Sequence, residues 1–309
     1  MPALRFVFRT LQRVAPARAA RWAEVLFFTP PRTRVTPEGR ALLEEARPFS
    51  VRVDGSRLAA WSWGDGPIVY LVHGWGSRGG RLAAFVPPLV DAGFQVVTHD
   101  APGHGASDGR LSSMPEFARA LRGVVEAVGE MHGVIAHSLG ASASTLAMHW
   151  GLRVPRAVFL APAADPPGFA FRFGEETLGL DAATVALVRE NSERRLGVQW
   201  SDLQVPPMAQ TLDVPLLVIH DRDDAVVPWA DGSEIVAAWP GASLVTTMGL
   251  GHRNIVCAPE VIARAVGFLA GGPAAKPAKT AARFHDAHWI EQHLFFREAR
   301  MQAALPTLA

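Results

Sequence analysis

The sequence predicts an α/β protein with a mostly parallel, doubly wound sheet of about eight strands and a helical insertion between two of the strands. Apolar runs of strand length alternate with segments of helical periodicity from residue 50 to residue 269. Several of these runs, such as Leu216 to Ile219, are continuously apolar. Such runs are typical of strands that helices cover on both faces.

Residues 1–48 are predicted to form a basic, amphipathic helical extension, broken at Pro16 and followed by a short helix from Thr36. Two interpretations of its apolar side stay open: packing on the body of this protein, or contact with an anionic membrane surface or a partner helix. The apolar side consists of Leu4, Phe8, Leu11 and Ala15, and the basic stripe beside it of Arg5, Arg9 and Arg13.

The main domain is predicted to span residues 49–270 and to open with a β-hairpin whose turn is Asp54-Gly55. Its predicted strands are Ser50–Val53, Leu58–Trp63, Pro67–Val72, Gln95–Asp100, Gly133–His137, Arg156–Ala161, Pro215–Asp221 and Ser243–Met248. Its predicted helices lie near Arg81–Ala92, Met114–Val128, Leu139–Trp150, Asp231–Trp239 and Pro259–Leu269.

Residues 166–213 interrupt the alternation and are predicted to form a helical cap over the carboxyl edge of the sheet. Asp181 is the expected N-cap of a helix that runs to Arg195. A structural insertion that touches no substrate is the alternative. The apolar residues expected in the cap are Phe169, Phe171, Phe173, Leu178, Leu180 and Trp200.

Residues 271–309 are predicted to form a linker followed by a second amphipathic helical tail. Its three histidines, His285, His288 and His293, suggest a metal site, but only the first two share a helical face. A metal site is therefore not favoured, and neither a metal nor a cofactor is expected. Apolar faces at both ends of the chain also allow a homodimer.

The composition excludes several classes of function. A net charge of +1 without long runs of like charge gives no sign of nucleic-acid binding. The single cysteine, Cys257, excludes an internal disulfide. The only lysines, Lys276 and Lys279, argue against Schiff-base chemistry and against a P-loop lysine. No stretch is apolar enough to span a membrane, and arginines interrupt any secretory signal. We expect a cytoplasmic protein. The alternative is peripheral contact with the inner face of the membrane, made by the N-terminal helix.

Ser138 is the candidate nucleophile, because it lies between a predicted strand and a predicted helix with small residues two positions before and after it, Ala136 and Gly140. A sharp strand-to-helix turn brings those two positions against neighbouring backbone. The candidate base is His252, in a glycine-rich loop after the last strand.

The acid that orients the base must come from the end of the preceding strand, where Asp221, Asp223 and Asp224 compete. The phase of the strand does not separate these three residues. After the strand that ends at Val72, the glycine turn at residues 73–76 suggests backbone donors for an oxyanion. We predict that these donors are the N–H groups of Trp75 and Leu139.

These pieces together resemble the α/β-hydrolase superfamily over about residues 49–270. The resemblance rests on the His-Gly turn, on the motif at residues 100–105, on the serine elbow, on Asp-x-Val-Val-Pro at residues 224–228 and on Gly-x-Gly-His at residues 249–252. It selects Asp224 as the triad acid and implies a structural role for His104. Serine at the elbow argues against the haloalkane dehalogenase and epoxide hydrolase branches, which use aspartate there.

The resemblance implies a Ser138-His252-Asp224 serine hydrolase that needs no cofactor. Apolar cap residues favour an ester or thioester of a small, largely apolar acyl substrate. Acyl transfer, amide hydrolysis, carbon–carbon bond hydrolysis and a binding scaffold without turnover stay open as alternatives. The expected substrate contacts are Trp75, Phe169, Phe171, Phe173 and Trp200.

Overall fold

The computed structural model describes residues 2–271, so the predicted linker and tail, with His285, His288 and His293, lie outside the described residues apart from Gly271. Within them, eight strands form one sheet in the order β1-β2-β4-β3-β5-β6-β7-β8. The first two strands are antiparallel, and β3 to β8 are parallel. The predicted fold class is confirmed. The strands are β1 Arg47–Val53, β2 Ser56–Trp63, β3 Ile68–Val72, β4 Gln95–His99, β5 Met131–His137, β6 Ala157–Leu160, β7 Leu216–Asp221 and β8 Ser243–Thr247.

Twelve α-helices accompany the sheet in the described part of the chain. They are α1 Pro2–Val14, α2 Pro16–Phe28, α3 Pro37–Glu44, α4 Val86–Asp91, α5 Met114–Val128, α6 Leu139–His149, α7 Pro166–Arg172, α8 Ala182–Leu196, α9 Val205–Ala209, α10 Trp229–Ala238, α11 Gly251–Asn254 and α12 Pro259–Leu269. Two 3-10 segments lie at Gly79–Phe85 and Trp200–Leu203, and a π-helical turn spans Phe173–Leu178. None of the described helices is both long and apolar enough to cross a bilayer.

The sheet is covered on both faces, as its apolar strands predict. Alternate residues of β3 belong to different cores: Tyr70 packs with α5 and α6, whereas Leu71 packs with α4 and α12. This alternation follows from the two-residue period of a strand. The site residues therefore project from a sheet that is held on both sides.

The helix predicted near residues 81–92 is divided into a 3-10 segment and α4. Pro87 and Pro88, in the first turn of α4, explain the difference. Proline has no N–H to donate and fits only the first turn of a helix. The backbone hydrogen bonds of one continuous helix therefore cannot run through these positions.

The N-terminal helices pack on the insertion at residues 166–213, the predicted cap. One small core contains Phe8, Ala19 and Ala23 from α1 and α2 together with Leu178 and Val185 from the cap. The side chain of Gln12 bridges the two regions. Its amide donates to the carbonyl of Gly179 at 3.3 Å, and its carbonyl accepts from the N–H of Asp181 at 2.9 Å.

An ion pair fastens the same contact. The Nε atom of Arg195, in α8, lies 2.8 Å from Glu24 Oε1, and its guanidinium covers the ring of Phe28 at 4.7 Å. Only 11% of the Glu24 side chain is exposed, so this pair is more strongly held than a surface salt bridge. The extension and the cap thus form one packed layer.

Candidate active site

The turn at Ser138 has the backbone geometry of a nucleophile elbow. Ser138 joins β5 to α6 with φ 53° and ψ −125°, a conformation that non-glycine residues rarely adopt. A Cβ atom on Gly140 would lie 2.4 Å from the carbonyl oxygen of His73. Glycine at this position therefore lets α6 start directly against the end of β3.

Three predicted site residues form a continuous hydrogen-bonded chain. The Oγ atom of Ser138 lies 3.1 Å from Nε2 of His252, and Nδ1 of His252 lies 2.8 Å from Oδ2 of Asp224. The other carboxylate oxygen of Asp224 accepts the N–H groups of Val226 and Val227 at 2.8 and 2.9 Å. This arrangement fixes the imidazole with Nδ1 protonated and Nε2 ready to accept the serine proton.

Asp224 is held as a carboxylate. Burial alone would raise its pKa, but hydrogen bonds from His220 and His252 and from the N–H of Val227 outweigh burial and lower the pKa. Nε2 of His220 donates to the carbonyl of Val227 at 3.1 Å and lies 3.4 Å from Asp224. Sequence reasoning missed His220, although it stands four residues before Asp224.

The other two aspartates hold the loop that carries the histidine. Oδ2 of Asp221 accepts the N–H of Leu250 at 3.0 Å, and Oδ2 of Asp223 accepts the N–H of Gly249 at 2.9 Å. From the opposite side, Nε2 of His137 donates to the carbonyl of His252 at 2.9 Å. These three hydrogen bonds hold the loop so that the imidazole of His252 lies next to Ser138.

Two buried histidines clamp the glycine turn that contains Trp75. Nε2 of His104 accepts the N–H of Gly76 at 3.0 Å, and Nε2 of His73 accepts the N–H of Ala101 at 3.0 Å. Burial lowers the pKa of each histidine to about 3, so both are neutral at physiological pH. Each Nε2 is thus an unprotonated acceptor.

The two predicted oxyanion donors belong to segments that meet at the serine. Trp75 belongs to the clamped turn, where a Cβ on Gly74 would lie 2.9 Å from Cβ of Ser138. Leu139 is the first residue of α6, so no preceding helical turn accepts its N–H.

Of the predicted substrate contacts, Trp75 lies in the glycine turn, and Phe169, Phe171, Phe173 and Trp200 lie in the insertion. Phe171 and Trp200 pack edge to face at 5.1 Å and line a cleft of about 380 Å³ whose lining includes none of the three triad residues. The indole N–H of Trp200 donates to Ser192 at 2.9 Å, so this side chain anchors the cap internally. The ring of Phe169 lies under the guanidinium of Arg172.

Sequence reasoning missed the contribution of the N-terminal extension to this region. The rings of Phe27 and Phe173 lie 5.5 Å apart, and Phe27 packs on the core that surrounds the elbow. Pro31 covers the glycine turn, because a Cβ on Gly76 would lie 2.6 Å from its Cγ. The sequence signal for this contact is the Phe-Phe-Thr-Pro-Pro segment at residues 27–31, where α2 ends. The segment does not indicate which surface of the protein it contacts.

Comparison with known proteins agrees with this geometry. The family described as serine aminopeptidase, S33, matches residues 66–190, which include the glycine turn and the elbow. An esterase from Exiguobacterium antarcticum has the same fold, with a TM-score of 0.57 at 16% identity over 72% of this chain and 99% of its own. The chain has the α/β-hydrolase fold and is similar to proteins of that superfamily.

Several similar proteins are hydrolases, and others are non-heme haloperoxidases. A pyrethroid hydrolase of Sphingobium wenxiniae is 28% identical over 248 residues, which cover 67% of this chain and 88% of the relative. A pimeloyl-[acyl-carrier protein] methyl ester esterase of Nitrosomonas europaea is 26% identical over 242 residues, which cover 64% of this chain and 93% of the relative. These similarities support a hydrolase. Within residues 2–271, no group of three His, Cys, Asp or Glu side chains is arranged to hold a metal ion.

Proposed function

We propose that this α/β-hydrolase is a serine hydrolase that cleaves an ester or thioester of a small, largely apolar substrate. The observation that carries the proposal is the unbroken chain of hydrogen bonds from Ser138 through His252 to Asp224. A serine hydroxyl is a weak nucleophile by itself, and a neighbouring imidazole held by a carboxylate activates it.

In the proposed reaction, His252 accepts the proton of Ser138 while Oγ attacks the acyl carbon. The N–H groups of Trp75 and Leu139 stabilise the negative oxygen of the tetrahedral intermediate. The leaving alkoxide or thiolate takes the proton from His252, and an acyl-enzyme remains. His252 then takes a proton from water as the water oxygen attacks the acyl carbon. When the tetrahedral intermediate collapses, His252 returns that proton to Oγ of Ser138 and the acid is released.

The apolar nature of the substrate is inferred from the side chains around the turn and the cap. Trp75, Phe27 and Phe173 are partly buried aromatic residues that pack against the core around the elbow or against each other. The names of the hydrolase and esterase relatives agree with ester cleavage. A thioester is included because the same acyl chemistry applies when sulfur leaves.

Labelling with a fluorophosphonate and hydrolysis of p-nitrophenyl esters of increasing chain length test the proposal. We expect labelling and ester turnover in the native protein, and a loss of roughly 10⁴-fold or more in kcat for Ser138→Ala. Ser50→Ala is the matched control, since that serine is exposed in β1 and does not line the cleft at Phe171 and Trp200.

A native protein that is neither labelled nor active, with Ser138→Ala binding the same ligands equally well, would instead indicate a binding scaffold. Amides, thioesters and alcohol acceptors presented to the same preparation separate hydrolysis of esters from amide cleavage and from acyl transfer. The length of the preferred acyl chain then measures the apolar site beside Ser138.

A further inference from the structure

The exposed large apolar side chains are concentrated in the N-terminal helices. Among the described residues, four of the six lie in α1 and α2, a small part of the chain. The four are Phe6, Val7, Val14 and Val25, and the other two are Val226 and Met248.

We propose that α1 is a docking surface for an anionic membrane. The proposal goes beyond the hydrolase function and does not depend on it.

Helix α1 has two apolar sides, and the fold uses only one of them. Its inner side, centred on Phe8, is buried against the cap, and Phe8 is 1% exposed. Its outer side, which we call the outer stripe, consists of Phe6, Val7 and Val14 at helical spacing. Phe6 and Val14 are 72% and 75% exposed. Apolar exposure of this extent on a packed helix indicates a further contact.

The one polar residue within the outer stripe has its hydroxyl satisfied. Thr10 lies between Phe6 and Val14, and its Oγ1 donates to the carbonyl of Phe6 at 3.1 Å. The internal hydrogen bond occupies the hydroxyl of this exposed side chain. Insertion of this side into the headgroup region therefore costs no unsatisfied hydroxyl.

Exposed arginines lie on α1 and on the neighbouring helix α2. Arg9 and Arg13 are exposed on α1, and Arg18 and Arg21 are exposed on α2. None of the four forms an ion pair with another residue of the range 2–271. Apolar residues inserted between lipids with guanidinium groups at the phosphates are the usual arrangement of an interfacial helix.

The distribution of charge favours a membrane over a second copy of the chain. The only carboxylate of α1 and α2 is Glu24, which is buried and paired with Arg195. Two copies that met on their outer stripes would bring arginines together with no carboxylate of these helices to neutralise them. An anionic lipid surface supplies the missing negative charge.

The experiment measures sedimentation of the full-length protein with vesicles, using Ser138→Ala so that no lipid ester is cleaved. We expect binding to phosphatidylglycerol mixed with phosphatidylcholine, weaker binding at high salt, and little binding to phosphatidylcholine alone. The double variant Phe6→Gln/Val14→Gln should bind at least roughly tenfold more weakly, because it removes two side chains from the inserted face.

The matched control is Val226→Gln/Met248→Gln, which alters exposed apolar residues outside the N-terminal helices and should bind like the parent. Arg9→Gln/Arg13→Gln should weaken binding and reduce its dependence on salt. Unchanged melting curves show that each variant keeps its fold.

Absence of binding by the parent protein, or equal binding by the parent and the Phe6/Val14 variant, overturns the proposal. A dimer in light scattering that becomes a monomer in that variant, without vesicle binding by the parent, also overturns it and assigns the stripe to a second copy.

Discussion

Nε2 of His104 accepts the backbone N–H of Gly76 at 3.0 Å, across 28 residues of sequence. Nδ1 of the same ring lies 2.9 Å from the carbonyl of Pro102. Because Nε2 must be unprotonated to accept, the proton is on Nδ1 and is donated to that carbonyl. The neutral ring thus joins the loop after β4 to the turn that contains Trp75.

We expect His104→Phe to lower kcat by roughly 10- to 100-fold while KM changes little. The ring would keep its contacts with Trp75 and Phe117, but Gly76 would lose its acceptor and the neighbouring oxyanion donor would be less well positioned. Ester kinetics measure the change, and His104→Gln should recover part of kcat because an amide oxygen can accept the N–H. His149→Phe, at an exposed position, is the control. A rise in KM alone would show that the clamp does not act on the oxyanion turn.

Gly140→Ala should destabilise the protein by about 3 kcal/mol, because the added methyl meets the backbone carbonyls of His73 and Val72, which side-chain rotation cannot move. Gly267→Ala is the matched helical control. A Cβ at that exposed position in α12 meets nothing within 4 Å and should stabilise the protein by up to about 1 kcal/mol. Chemical denaturation measures both changes. Equal stability of the two variants contradicts the close approach of α6 to β3.

The sheet and its helices could be predicted because their signals are local. Helices α5 and α12 begin and end at the predicted residues, since proline marks each first turn and periodic apolar positions fill each helix. Asp181 caps α8 as predicted, accepting the N–H of Thr184 at 2.8 Å. The break at Pro87 and Pro88 is also local, so the sequence contained that signal, although the prediction did not use it.

The partners of the N-terminal extension could not be predicted. Periodicity identified Phe8 as part of an apolar side, but it carries no information on the surface that covers that side. The same limit applies to Asp221, Asp223 and Asp224. Their roles are distinguished by the residues of the histidine loop that each one contacts, and the sequence does not specify those contacts. Their contacts with residues 249–252 depend on the relative position of two strand ends.

Asp223→Ala should lower kcat by about 10-fold, whereas Asp223→Asn should lower it much less. Its carboxylate holds the loop of His252 through the N–H of Gly249, and an asparagine oxygen can still accept that hydrogen bond. Ester kinetics on both variants provide the measurement. Equal losses in the two would indicate that the charge of Asp223, rather than its acceptor oxygen, is required.

Buried histidines should make the fold sensitive to acid. Burial lowers the pKa of His73 and His104 to about 3 and that of His99 to about 4, against about 6.5 in an unfolded chain. The unfolded state therefore binds more protons between these values, and stability is greatest above pH 6.5 and falls as the pH decreases towards 4. Each histidine contributes a slope of up to roughly 1.4 kcal/mol per pH unit. The lowered pKa of Asp224 adds its loss of stability only at lower pH, below the ordinary carboxyl range.

His99→Leu isolates one of these contributions. Both ring nitrogens of His99 are buried without a hydrogen-bond partner among the described residues, so leucine removes an unsatisfied polar group as well as the protonation site. We expect the variant to be at least as stable as the native protein at pH 7.5 and to lose less stability by pH 5. Urea unfolding at both pH values measures the difference, with exposed His149→Leu as the control. Parallel pH profiles for His99→Leu and the native protein would mean that folding does not lower the pKa of His99.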